Sequence, residues 1–278
     1  MTVGDLPEVR SEACGLEELF PPRPISDQSR DSLWLSSQWP RRWSATWRTP
    51  EGELACPARD LAAVPVLECV PVRRFSWRAS QRHRPGLQFM VSTGRLHGFE
   101  SLEEQKLLLA LDFAGSVAEV LPQPFRLRFE ADDGFHEHVP DFLAVLRDGS
   151  RWLFDVRPAP LIRDRDEVAF AAAQEAAWAV GWRYSVVAGW RPHVLSVIDA
   201  LSAQRRTLKD PLGLQGQLLK GMSAGPVGFG ELVVRTSLPA VARAHALHLL
   251  WHRRLGVDLA RPLSDRSLVR SPTKASRG

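Results

Sequence analysis

The sharpest hydrophobic pattern in the chain lies at residues 139–157, where two apolar runs flank Asp148-Gly149-Ser150. It predicts two β-strands joined by a tight turn, with one carboxylate on each, Asp141 and Asp155. Side chains alternate faces along a strand, so the loop length decides whether the two acids meet. A two-residue loop at Asp148-Gly149 would send them to opposite faces. A three-residue loop at residues 148–150 sets Asp141 across from Arg157 and Asp155 across from Leu143. Asp141, Leu143, Val145, Leu153, Asp155 and Arg157 then share one face. Phe142, Ala144, Leu146, Trp152, Phe154 and Val156 form a wholly apolar face opposite. That separation favours the three-residue loop, with Gly149 in the left-handed conformation.

Further elements surround the hairpin. Leu107, Leu108 and Leu111 recur at helical spacing beside Glu104 and predict a helix over 101–113. Residues 117–121 and 125–129 read as strand pieces split by Pro122 and Pro124. Residues 164–180 read as a helix opened by an Asp164/Glu167 capping box, 182–188 as a strand and 193–208 as a helix. Helix, three strands, helix, strand is the order of an α/β fold, a mixed sheet flanked by helices. In the last third, 208–222 and 230–236 predict helices broken by Gly225-Pro226-Val227-Gly228. Ser237 is placed to cap an amphipathic helix at 238–254, with Leu247, Leu250 and Trp251 inward. Short strands at 256–259 and 267–269 complete a winged-helix-like plan. Residues 1–69, rich in Pro, Trp, Arg and Ser, are expected as an irregular arm. Residues 70–204 form the α/β domain, 205–270 the α-rich C-terminal domain and 271–278 a disordered tail.

Composition narrows the partners. Of 278 residues 44% are hydrophobic and 24% charged, a balance that supports a real core. The net charge is +4, and only Lys106, Lys209, Lys220 and Lys274 are lysines, so the positive charge is mostly arginine. The planar fork of Arg can bind two phosphate oxygens, which suggests nucleic acid. Residues 70–95 interleave Arg73, Arg74, Arg78, Arg82, His83 and Arg84 with Phe75 and Trp77. This stretch reads either as a surface that tracks a phosphate backbone or as a half-buried edge strand with solvated arginines. Cys14, Cys56 and Cys69 are scattered and odd in number, which supports neither a disulfide framework nor a structural zinc site. Without a signal-peptide pattern or a membrane-length apolar run, a cytoplasmic protein is expected. The chain has no G-x-x-x-x-G-K-[ST], so any nucleotide hydrolysis falls to a partner. It also has no G-x-S-x-G and no plausible Cys–His pair.

The candidate chemistry is that of a hard cation. Two acids on paired strands can hold a divalent ion such as Mg²⁺ or Mn²⁺, which polarises a phosphate and activates water. A third acid can come from the preceding helix, where Glu100, Glu103 and Glu104 are candidates. Glu104 lies on the stripe of Leu107, Leu108 and Leu111, where a carboxylate is costly unless paired or metal-bound. A capping box with Ser101 accounts for Glu104 equally well. His136 and His138 share a strand face and are expected as exposed residues near nucleic acid. His245, His248 and His252 are expected on a solvated basic helix face.

Pro140-Asp141 followed by Asp155-Val156-Arg157 resembles the PD-(D/E)XK nuclease motif. More narrowly, residues 73–83, 98–113, Gln123-Pro124-Phe125, 139–142, 155–158, 180–182 and 249–263 are similar to the TnsA-like endonuclease subunits of bacterial heteromeric transposases. The resemblance runs from about residue 70 to 270. It implies a restriction-endonuclease-like αβββαβ core with a winged-helix-like C-terminal domain. It implies a Mg²⁺-dependent endonuclease that cuts one strand at transposon ends, beside a DDE-type transposase and an ATPase regulator. Glu104, Asp141 and Asp155 would bind the ion, with the Val156 carbonyl completing the shell and Arg157 as a further catalytic residue. Arg73, Arg74, Arg78, Arg82, His83, Arg84 and Gln123 would contact DNA. The sequence departs from the wider superfamily at Arg157, which stands where a lysine is usual. Arg stays protonated, so it can orient water and neutralise charge but cannot act as a base. A stand-alone restriction or repair nuclease, and an inactive DNA-binding or assembly subunit on the same core, are the other readings.

Overall fold

The computed structural model describes residues 7–73 and 85–272, which form two compact units. The first holds the described parts of residues 21–108 and 115–189; the second holds 7–20, 109–114 and 190–272.

The first unit opens with two short helices, α1 (Asp27–Asp31) and α2 (Trp39–Arg42), and the hairpin β1 (Ser44–Thr49) and β2 (Gly52–Pro57). A second hairpin, β3 (Gly86–Met90) and β4 (Arg95–Phe99), leads into α3 (Leu102–Ala114), whose residues Leu109–Ala114 group with the second unit. Then come β5 (Val117–Pro122), β6 (Phe125–Ala131), β7 (Gly134–His138), β8 (Phe142–Leu146), β9 (Arg151–Val156), α4 (Asp164–Ala179) and β10 (Arg183–Val187). The fold is mixed α/β, as expected. One sheet runs β10-β9-β8-β5, with β10 parallel to β9 and the other pairs antiparallel. The other runs β2-β1-β6-β7, antiparallel throughout.

Both faces of β8 and β9 are covered. Leu143 and Leu153 pack with Ala172, Ala173 and Ala176 of α4, while Phe142, Phe154 and Trp152 are buried on the opposite side. Strands covered on both faces read as near-continuous apolar runs, which is why these two stood out. The run of alanines gives α4 high helix propensity and a flat face that lets it lie close to the sheet.

The hairpin keeps the expected loop length but not its position. Phe142 pairs with Phe154 and Val145 with Arg151, so the loop is residues 147–149 rather than 148–150. The cause is local: the Asp148 carboxylate accepts from the Ser150 amide at 2.9 Å and the Ser150 hydroxyl at 2.7 Å. This Asx-type turn places Ser150 at the strand, where its carbonyl accepts from the Leu146 amide at 2.9 Å. The shift is two residues, so the side-chain faces are preserved. The ladder ends at Phe142 and Phe154, and this register brings Asp141 toward Asp155 rather than Arg157. Gly149 is left-handed, with φ 84°. Gly149→Ala is expected to cost about 1 kcal/mol through strain, since nothing crowds the site. An unchanged urea midpoint would remove that account.

The N-terminal stretch is not an irregular arm. Residues 44–57 form β1 and β2, which extend the sheet of β6 and β7. Trp43 and Trp47 are fully buried against Phe129 and Phe125. Residues 9–11 instead belong to the second unit, where the Ser11 amide donates to the Val257 carbonyl at 2.9 Å and the Leu259 amide to the Val9 carbonyl at 2.8 Å. Apolar residues spaced for long-range pairing leave little local periodicity, so this order is not visible in a window of sequence.

The second unit continues with α5 (Val194–Ser202), α6 (Leu214–Gly221), β11 (Val227–Gly228), α7 (Phe229–Val234), α8 (Pro239–Trp251) and β12 (Leu268–Val269). β11 and β12 pair antiparallel, and Gly256 bridges Arg270. The helix expected from residue 208 starts only at Leu214, because Gly213 is left-handed (φ 63°) and the Asp210 carboxylate caps the Leu214 and Gln215 amides. Ser237 does not cap α8: Leu238 is its N-cap, Pro239 its first residue, and Ser237 is bonded to Gln217. For α4 the reciprocal bond runs from the Arg163 amide to Asp166 at 3.0 Å, not between Asp164 and Glu167.

Candidate active site

Asp141 ends the approach to β8 and Asp155 sits one residue from the end of β9. The Gln123 amide donates to the Asp141 carbonyl at 2.7 Å and the Asp141 amide to the Phe154 carbonyl at 3.0 Å, which pins the main chain. The side-chain Oδ2 of Asp141 accepts from the Val156 amide at 2.7 Å. Asp155 is 2% exposed. Its Oδ1 and Oδ2 lie 2.9 and 3.1 Å from Nε2 of His138, and Oδ2 accepts from the Tyr184 hydroxyl at 2.7 Å.

Glu104 opens α3 in a capping box with Ser101. Its Oε1 accepts from the Ser101 hydroxyl at 2.8 Å and its Oε2 from the Glu100 amide at 2.7 Å. The Glu104 amide in turn donates to Ser101 Oγ at 3.2 Å. Of the three helix candidates, Glu104 is the buried one, 8% exposed. Glu103 instead pairs with Lys106 at 2.5 Å, one turn along the helix.

These acids act on one another. Removal from water pushes the Asp141 carboxyl well above the ordinary carboxylate range, and the negative charges of Asp155 and then Glu104 push it further. The Val156 amide opposes the rise, and Glu100 adds a smaller push in the same direction. Burial, then Asp155, likewise raises the Tyr184 hydroxyl well above its usual value, so it stays a donor.

The three acids line one cleft of about 640 Å³. Among the described residues, Glu100, Glu103, Glu137 and Asp166 line it as well, together with Arg73 and Arg157. An anionic backbone enters a cleft of this sign only with cations between it and the carboxylates. The donors are oxygens throughout, which suits a hard divalent ion. Among the described residues, no three His, Cys, Asp or Glu side chains stand together closely enough to hold a metal ion. Glu104 is turned onto the start of α3, and Asp155 onto His138 and Tyr184.

The remaining expected residues divide. Arg157 lines the cleft, its Nε 3.1 Å from both Asp166 Oδ2 and the Leu161 carbonyl. Arg73 lines the same cleft. Arg74, Arg78, Arg82, His83 and Arg84 lie outside the described residues. Gln123, expected to touch DNA, is 3% exposed; it is left-handed (φ 46°) between two prolines and holds Asp141 through its main chain. His138, expected at an exposed position, is on Asp155. His136 bonds Asp133 at 2.5 Å and stacks on Phe129. The helix histidines divide: His245 is 3% exposed and His248 is half-buried with its Nδ1 2.8 Å from the Gln204 carbonyl, while His252 stays exposed, as expected, 3.1 Å from the Arg205 carbonyl.

Sequence reasoning missed His138 and Tyr184 as site residues. The shared face of His136 and His138 was a signal for the first. The second is the chain's single tyrosine, and only the parallel pairing of Val186 with Asp155 reveals its side. No model of a known protein family and no curated protein matches the chain.

Proposed function

We propose that this chain is a metal-dependent endodeoxyribonuclease of the TnsA-like, PD-(D/E)XK kind. It hydrolyses a phosphodiester of one strand at transposon ends, in a complex with a DDE-type transposase and an ATPase regulator. The reading rests on Asp141 and Asp155 facing each other across β8 and β9, with Glu104 near enough to act on Asp141. The order α3-β5-β8-β9-α4-β10, with β6 and β7 inserted, supports an αβββαβ nuclease core. The order α6-β11-α7-α8-β12, with the Gly256–Arg270 bridge, supports a winged helix in the second unit.

Glu104, Asp141, Asp155 and the Val156 carbonyl would hold Mg²⁺ or Mn²⁺. When bound, that ion supplies Lewis acidity at the scissile phosphate and acidifies water. The chain's own groups do the rest. Asp166 and the Leu161 carbonyl aim the Arg157 guanidinium along the cleft wall, where it offsets charge building on phosphate oxygens. It stays protonated, so it takes no proton from water. Arg73 on the same cleft meets the DNA backbone.

Crystals soaked in Mn²⁺ test the reading. An ion bonded to oxygens of Asp141, Asp155 and Glu104 at about 2.0–2.6 Å is expected. An empty cleft at saturating Mn²⁺ would count against it. Arg157 paired with Asp166, and carboxylates engaged by protein donors, favour a second reading, a DNA-binding or assembly subunit. DNA binding without any Mn²⁺ uptake in calorimetry would select that reading instead.

A further inference from the structure

We infer that His138 and Tyr184 are positioning residues for Asp155, an inference that rests on the proposed metal centre. They fix the plane of the carboxylate and so set which of its lone pairs face a cation.

A buried carboxylate must be hydrogen-bonded or charge-compensated. Asp155 achieves this with two donors from two different sheets. His138 comes from the end of β7, in the β2-β1-β6-β7 sheet, and its Nε2 spans both oxygens. Tyr184 comes from β10, beside β9, and reaches Oδ2 alone. A carboxylate free to rotate about its Cβ–Cγ bond would sample many orientations. One donor shared by both oxygens and a second on one of them leave a single orientation. An ionised carboxylate offers roughly four lone-pair sites, so acceptor capacity remains for an ion.

Both donors are themselves held. His138 is in ladder register with Leu127 on β6, and its ring meets Phe170 of α4 edge-on at 6.1 Å. Tyr184 lies two residues before Val186, the register partner of Asp155, and so on the same sheet face. The second sheet therefore contributes directly to the site. Its hairpin β6–β7, inserted between β5 and β8, is the element that carries His138 to Asp155. Hydrogen-bond partners of a metal-binding carboxylate typically govern affinity by about 10–100-fold.

Mn²⁺ titration of the full chain by calorimetry, with melting curves recorded in parallel, tests this. Tyr184→Phe keeps the ring and removes the donor, and His138→Leu removes the imidazole. Each is expected to weaken Mn²⁺ binding by about 10–100-fold. His138→Gln, which can place an N–H where Nε2 lies, is expected to recover most of the loss. Wild-type affinity in Tyr184→Phe and His138→Leu, even with lowered melting temperatures, overturns the inference. Should His138→Leu not fold, Tyr184→Phe decides alone. If the wild-type chain itself takes up no Mn²⁺, it is the metal-centre reading that fails.

Discussion

Asp155→Ala is expected to lower Mg²⁺-dependent strand cleavage by at least about 100-fold, the scale of losing one preorganised transition-state contact. That factor corresponds to about 2.7 kcal/mol of barrier. The effect has two parts. The variant removes one carboxylate of the facing pair, and it strips the Tyr184 hydroxyl and His138 Nε2 of their common acceptor. Each buried group left unpaired costs roughly 1–3 kcal/mol, so the melting temperature should fall as well. Asp155→Asn, nearly the same shape and still able to accept from Tyr184, should fold better and cleave no better. Nicking of transposon-end DNA by the complex reconstituted with its transposase partner gives the readout. Cleavage at the wild-type rate in Asp155→Ala would end the nuclease reading.

Asp141→Asn should have the opposite effect on stability, with an equal loss of activity. The Asp141 carboxyl titrates well above its ordinary value of 3.8, through burial first and then Asp155 and Glu104. With the native state holding the proton more tightly than the unfolded chain, the stabilisation is complete below about pH 4. It drains away as pH rises toward the raised native value. Over that window each pH unit removes up to about 1.4 kcal/mol per proton. The metal-free wild type should therefore lose stability as pH rises above about 4, and Asp141→Asn should lose less. Asparagine still accepts from the Val156 amide, so the comparison isolates the charge. A bound divalent ion should reverse the wild-type deficit, by about 2.7 kcal/mol at a hundredfold excess over its dissociation constant. Asp141→Asn should show little of that gain. Parallel urea titrations at pH 4.5 and 7.5, with and without Mn²⁺, decide it. Equal pH slopes for the two proteins would show that neither burial nor its acidic neighbours raise the Asp141 carboxyl.

The part of the site readable in sequence was the part built from local pattern. Glu104 was marked by its place on an apolar helical stripe, and the structure confirms its burial while also showing the competing capping box with Ser101. Asp141 and Asp155 were paired by strand parity, and parity survived although the turn moved. Loop position is set by the Asp148 side chain bonding Ser150, a choice that alternation cannot encode. His138 was seen but sent to the wrong place, because a strand's face carries no label for what that face meets. His245 differs from its expected solvated position for the same reason: spacing shows a stripe, but the burial of His245 beside residues 210–215 belongs to chain packing, while His252 is exposed as expected.

By itself the sequence determined the helix–strands–helix–strand succession from residue 101 to 187, but not the strand β7 or the departure of β6 and β7 into a second sheet. It also determined the shared face of the two aspartates and the left-handed glycine that turns between them, because each follows from a period or a backbone angle within a few residues. The tertiary structure decided that the N-terminal hairpin joins β6 and β7, that Asp141 faces Asp155 rather than Arg157, and that His138 and Tyr184 close on Asp155. Those outcomes depend on registers between strands far apart in the chain. A register is chosen by the packing of whole faces and not by any one segment.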